Sequence, residues 1–372
     1  MTGWFGKAAT AVAGMAAITF GSPANANGMS IRAFGAQEGR LATIAYRMAA
    51  ANAPICTRKQ MMSGLVLHDL TQYDPSVRAA VSGAFSLGGG FGVLRVVPGS
   101  VADEAGIRVD DEILQINNVD VVFGGALDSA PKSYGRMDQF SALLEAALID
   151  GPTELAIRRQ GKLLRVQVRG QPGCGGDLAL ADYSDLNAWS DGAHVVVTTA
   201  MAAMASSDDE IAFVIAHEMA HNILGHSNPG GSAKGIFGGI SQNRREELEA
   251  DGFAVGLMSH AGYHPEGGIA FLEKVSRRLW WAISFDHPSF GRRIQVVTAA
   301  IAALPKAAAV SHPRMASDEV ETQESAVAVA MPLSPLVQSL PAMNPGTGRS
   351  YGLRTRLASV ATFRGSRTAC EY

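Results

Sequence analysis

The chain of 372 residues is poor in charge: 17% of its residues are charged, and 31 Lys+Arg against 34 Asp+Glu leave a net charge of −3. That balance excludes a global attraction to nucleic acid or to an anionic membrane surface, so polyanion binding would need a local patch, and nucleic acid is not an expected partner. Nor is the chain collagen-like or a highly charged disordered polymer, since 47% of its residues are hydrophobic. A folded protein of about two domains, at roughly 150 residues each, is expected. Beyond the N-terminus no stretch approaches the roughly 18 uncharged apolar residues that a membrane helix needs, so no transmembrane span is expected in the mature chain. No self-similarity with a period of 20 to 50 residues is present, which excludes a solenoid or propeller. Cysteine is scarce, with only Cys56, Cys174 and Cys370. In an exported protein Cys56 and Cys174 could form a disulfide or stay reduced.

Export is what the N-terminus implies. Lys7 precedes an apolar run, Ala8 to Phe20, which is too short to cross a bilayer comfortably and is followed by Gly21-Ser22-Pro23 and Ala24-Asn25-Ala26. This reads as a signal peptide over residues 1–26, with small side chains at −3 and −1 of a cleavage site after Ala26; an uncleaved anchor is the alternative. A periplasmic or secreted location follows. No cysteine follows the cleavage site, which argues against a lipid anchor there.

Further along, Ile31, Phe34, Leu41, Ile44, Ala45 and Met48 recur at helical intervals, and Pro54 closes the segment, which predicts one amphipathic helix. From about Gly83 to Gly170 the character changes to short strand-like runs (FGVLRVV, DEILQIN, TELAIRR, KLLRVQV) with one helix over Asp138 to Leu148. From Asp185 to about Leu304 the pattern is mostly helical, opened by a strand at His194 to Thr199 and interrupted by the glycine-rich stretch Asn228 to Gly239, long enough to gate access to a site.

The richest chemistry lies in SSDDEIAFVIAHEMAHNILGH, Ser206 to His226. Ser207 and Glu210 have the spacing of a capping box, and apolar residues surround the axis of the helix that follows, so it must be buried nearly all round. Two imidazoles and a carboxylate in such a helix need partners. His217 and His221 stand one turn apart on one face, where both rings can reach one ion. The HExxH order makes zinc the expected metal and Glu218 the expected general base. His226 lies about 140° off that face on a continuous helix and reads as structural or solvent-facing. A third ligand is expected from RREELEADGFAVG: Glu247 binds the metal, and Asp251, one turn on, accepts the outer N–H of a ligand histidine. Glu249 points about 200° away from Glu247.

HEMAHNILGH followed by Glu247-Leu248-Glu249-Ala250-Asp251 resembles the zinc metallopeptidases grouped with the CAAX prenyl protease and HtpX, in their soluble exported branch. The resemblance implies one Zn2+ per chain held by His217, His221 and Glu247, with Glu218 as base, and protein or peptide substrates, here misfolded or unassembled envelope proteins. NAWSDGAHVVVTTAM resembles the segment that forms the edge strand above the site, so Val195, Val196, Val197 and Thr198 are expected to pair with substrate backbone. His287-Pro288-Ser289 and Arg293-Ile294 resemble a further element of that family. His287 and Arg293 could stabilise the oxyanion, or could serve as a helix cap and an ion-pair partner. PGSVADEAGI followed by DDEILQIN resembles the PDZ domains of bacterial envelope proteases, with Gly90-Phe91-Gly92 as the candidate loop for a peptide carboxylate.

The expected fold is therefore α+β: a mostly helical gluzincin-like metallopeptidase domain with an edge strand, preceded by a small β-rich PDZ-like domain. The expected divisions are 1–26 signal peptide, 27–82 helical segment packing on the protease, 83–171 PDZ-like domain, 172–312 metallopeptidase domain and 313–372 low-complexity, disordered tail. The competing reading is an envelope chaperone or scaffold that binds client peptides, its zinc site structural or latent.

Overall fold

The computed structural model describes residues 31–125, 127–226, 236–278, 288–305 and 369–371. The signal-peptide expectation, His287 and most of the C-terminal tail lie outside the described residues. The fold is α+β, a β-rich module followed by a mostly helical one. Helix α1 (Ile31–Asn52) comes first, then β1 (Lys59–Met62), β2 (Leu65–His68), α2 (Pro75–Phe85), β3 (Phe91–Val96), the short α3 (Val101–Glu104), β4 (Glu112–Ile116), β5 (Val119–Asp120), α4 (Gly135–Asp150), β6 (Thr153–Arg159) and β7 (Lys162–Val168). Strands β2-β3-β4-β6-β7 form one antiparallel sheet, with β5 added on β4. Alternation along β3 serves two layers: Phe91 and Val93 pack with Phe140, Leu144 and Leu148 of α4, while Leu94 packs with Ile31 of α1 and with Val81 and Phe85 of α2.

The segment 27–82 is thus not purely helical, because β2 is a strand of the β-rich module's own sheet. The β-rich module also leaves no room for the expected peptide loop at Gly90-Phe91-Gly92. Gly92 is flanked by His68 on one side and Glu112 on the other, Phe91 is paired with Ile113, and the Gly90 N–H donates to the buried Glu112 carboxylate at 2.7 Å. A backbone already paired in the sheet has no donors left for a ligand.

The second module opens with β8 (Gln171–Cys174), which pairs with β1, then β9 (Asp177–Ala181), β10 (Asn187–Ser190) and β11 (His194–Thr198). Helices α5 (Thr199–Met204), α6 (Asp208–Leu224), α7 (Ile236–His260), α8 (Glu266–Arg278) and α9 (Phe290–Ala303) follow, and β12 (Ala369–Glu371) comes last. The sheet order is β12-β10-β11-β9. This corrects the edge-strand expectation: β11, which carries Val195 to Thr198, is interior, antiparallel to β10 on one side and parallel to β9 on the other. The tail expectation changes as well, since Ala369–Glu371 form a strand on β10. Leu41, Ile44 and Met48 of α1 join the core built by α6, α7 and α8, so the first helix is shared by both modules. Cys56 and Cys174 form a disulfide, with alpha carbons 5.4 Å apart. No helix among the described residues is long and apolar enough to cross a membrane.

Candidate metal centre

The site is built on α6. Ser207 caps it, its Oγ accepting the Glu210 N–H at 3.2 Å, and Asp208, Asp209 and Glu210 set negative charge against the positive end of the helix dipole. Glu210 in turn accepts the Ser206 N–H at 2.8 Å and pairs with Lys274 of α8, which fixes the entry of the helix. Every residue from Glu210 to His221 is buried. The helix stops at Gly225, whose φ of 76° is left-handed, with its N–H bonded to the His221 carbonyl.

On this rigid support His217 Nε2 and His221 Nε2 lie 3.2 Å apart. Glu247 of α7 places one carboxylate oxygen 3.5 Å from His217 Nε2 and the other 3.4 Å from His221 Nε2. All three groups are buried, and their ligand atoms lie within 4.8 Å of one another. Two donors at about 2.0–2.1 Å from a tetrahedral zinc ion stand roughly 3.4 Å apart, so the spacing fits that ion.

The outer faces of the rings support the same reading. His217 Nδ1 is 3.1 Å from Asp251 Oδ1, so its Nδ1–H donates outward and Nε2 presents a lone pair to the centre. Arg293 of α9, itself buried, holds Asp251 with two bonds of 2.9 and 2.7 Å. His221 Nδ1 is 3.1 Å from His226 Nδ1, and His226 Nε2 lies 3.6 Å from a Glu249 oxygen. With His221 as donor and His226 as acceptor, both Nε2 lone pairs and the Glu247 carboxylate face one point. Acceptors alone repel one another, and only a proton or a cation between them removes the repulsion. Burial alone would lower the pKa of His217, but its bonds to Asp251 and Glu247 raise it to about 9. The field that favours that proton favours a metal ion equally. Burial would raise the pKa of Asp251, and the Arg293 charge and hydrogen bonds outweigh it, holding the carboxyl below its ordinary value.

Glu218 follows His217 on α6. Both of its carboxylate oxygens are buried, and neither has a hydrogen-bond partner among the described residues. A buried carboxylate without a partner is costly by several kcal/mol, which marks a group set to receive something.

The structure therefore brings together His217, His221, Glu247 and Asp251, with Glu218 buried next to His217 in sequence, and it bears on other roles. Arg293 spends its fork on Asp251, on the Nδ1 side of His217, away from the point where the Nε2 atoms converge. These bonds fit the ion-pair alternative of the sequence reading. His226 is structural, one of the two roles its offset from the ligand face implies, but Gly225 breaks the helix and lets the ring turn back to within hydrogen-bond distance of His221. That glycine was the available signal. Asn222 was also missed: its side chain accepts the Gly192 N–H at 2.6 Å and donates to the His194 carbonyl at 3.0 Å, tying the turn between β10 and β11 to the residue beside His221.

The chain is similar to known proteins in two regions. Residues 92–159 match the PDZ domain family. Metalloprotease LoiP of Escherichia coli (strain K12) is 30% identical over 121 residues, covering 24% of this chain and 48% of that protein, so the chain spans about half the length of the curated relative it matches. Among solved structures, the HtrA3 PDZ domain bound to a phage-derived ligand is 20% identical, covers 31% of this chain and 89% of that one, and superposes with a TM-score of 0.23. Residues 177–237, which hold His217, Glu218 and His221 but stop short of Glu247, match Peptidase family M48.

Proposed function

We propose that this chain is a zinc-dependent endopeptidase. The observation that carries the reading is the convergence of His217 Nε2, His221 Nε2 and the Glu247 carboxylate, with Glu218, the residue after His217 on α6, carrying a buried, unpartnered carboxylate. The match to Peptidase family M48 and the similarity to a metalloprotease point to the peptide bond as the target. When bound by His217, His221 and Glu247, zinc supplies Lewis acidity toward a substrate carbonyl and the solvent that attacks it. Glu218 moves the proton: its carboxylate takes one from the attacking water and returns it to the nitrogen of the leaving amine. Asp251, held by Arg293, orients the His217 ring, and His226 orients His221.

Export is supported by Ala24-Asn25-Ala26 and by the Cys56–Cys174 bond, because disulfides persist in oxidising compartments. Substrates met there are envelope proteins that are misfolded or unassembled, and the β-rich module would recognise clients or gate the site.

The test is Glu218→Gln in the purified full chain, assayed on casein and on a fluorogenic peptide. A loss of about 10²–10⁴-fold in kcat/KM with unchanged zinc content is expected. Hydrolysis that survives this substitution, or that ignores a chelator in the wild type, overturns the reading; client binding without hydrolysis favours the scaffold.

A further inference from the structure

Strand β10 packs on α6, the helix that carries His217 and His221, and its outer side is already covered. Its inner side pairs with β11, Ala188 lies in the same core as α6, and the turn after it is pinned by Asn222, next to the ligand His221. Its outer side pairs antiparallel with the last residues of the chain, in the register Asn187↔Glu371, Ala188↔Cys370 and Trp189↔Ala369. An extended peptide gains backbone hydrogen bonds most readily by adding to a sheet edge. The tail therefore sits in the posture of a bound peptide, along the edge held closest to α6.

We infer that the C-terminal segment Ala369–Glu371 is a built-in competitor for substrate backbone at β10. This rests on the peptidase reading above. Three features support it. With β11 interior, the two flanks of the sheet are β9 and β10, and it is β10 that packs on α6 and pairs with the tail. The tail strand is only three residues long, so few ladder bonds must break to release it. Asn187, the residue opposite Glu371, has a buried Oδ1 with no hydrogen-bond partner among the described residues, an acceptor left over where the tail pairs. The competition needs no chemistry. It raises the apparent KM and leaves kcat alone, because a substrate that has displaced the tail meets the same catalytic groups.

A tethered segment acts at roughly millimolar effective concentration, so a tail that binds in trans with a Kd of about 0.1 mM raises KM on the order of tenfold in cis. Two variants test this: a chain ending at Thr368, and a full-length Cys370→Pro, in which proline removes a ladder donor without shortening the chain. Binding is read by fluorescence polarisation of a labelled peptide of residues 366–372, with serine at the Cys370 position, on forms that also carry Glu218→Gln. The expected result is binding to the truncated form at least tenfold tighter than to the intact chain. In active forms, both variants show a KM lowered about tenfold at unchanged kcat. Equal binding to both forms, no binding to either, or an unchanged KM overturns the inference. If no form shows chelator-sensitive hydrolysis, the peptidase reading fails by itself, and the binding assay still decides whether the tail holds this edge.

Discussion

His226 and Asp251 hold matching places on the two ligand histidines, His226 Nδ1 facing His221 Nδ1 at 3.1 Å and Asp251 Oδ1 facing His217 Nδ1 at 3.1 Å. Removing such an outer partner typically weakens a metal site by about 10–100-fold, because the ring loses both its tautomer and its orientation. His226→Ala is therefore expected to lower zinc affinity by about that factor in a chelator-competition titration, while the fold, read by circular dichroism, persists. Unchanged affinity would reduce His226 to a bystander. The second prediction at this scale concerns protons. With its pKa raised to about 9, His217 in the metal-free site is protonated at pH 7, and zinc must displace that proton. Affinity is thus fully developed above about pH 9 and falls as pH is lowered through and below that value. Calorimetry at pH 7 in buffers of different ionisation enthalpy should record about one proton released per zinc bound.

Among the elements, α6 tolerates little change, since it is buried from Glu210 to His221 and closely covered by α8. A β-carbon at Gly267 would lie 2.5 Å from the backbone carbonyl carbon of Asp209 and 2.7 Å from its oxygen, and backbone cannot step aside as a side chain can. Gly267→Ala should force the start of α8 away from the start of α6. Overpacking of this kind costs about 1–3 kcal/mol, so a Tm lowered by several degrees is expected in thermal denaturation. Loss of zinc is expected alongside it, because the displaced turn leads through Phe213, whose ring centroid is 6.2 Å from that of His217. A variant as stable as wild type would show that the two helices can separate freely. Ser207→Ala removes the cap at the same end and should cost about 1 kcal/mol.

Among the described residues, a shared helix, the pairing of β1 with β8 and a disulfide tie the modules together. Helix α1 contributes Ile31 to one core and Leu41, Ile44 and Met48 to another. The Cys56–Cys174 bond spans 118 residues of sequence, a loop that encloses the β-rich module, and pins its entrance to its exit. Closing so long a loop restricts the unfolded chain, and removing such a bond typically costs about 2–5 kcal/mol. The pair Cys56→Ser with Cys174→Ser should therefore lower the Tm in scanning calorimetry, and reductant should shift the wild type but leave the variant unmoved. Identical melting with and without reductant would remove the bond from the account.

How much of this could be read without coordinates follows from the range of each interaction. The helix around HEMAH, its capping box and the one-turn spacings of His217 with His221 and of Glu247 with Asp251 are set by a repeat of 3.6 residues, a local property that sequence alone determines. The strands FGVLRVV, TELAIRR and KLLRVQV are equally local, as alternation and turn residues mark them. Which strand lies inside a sheet is not local. Val195 to Thr198 read the same whether or not β9 joins them from the far side, and Gly90-Phe91-Gly92 read as a loop until Glu112 and His68 are seen beside them. Nor could spacing show that Arg293 reaches Asp251 from another helix, that His226 turns back once Gly225 breaks α6, or that the chain's end returns to β10. Helical faces belong to the sequence because their partners are a few residues away; strand pairing and the outer supports of the metal ligands belong to the tertiary structure, because their partners come from distant parts of the chain.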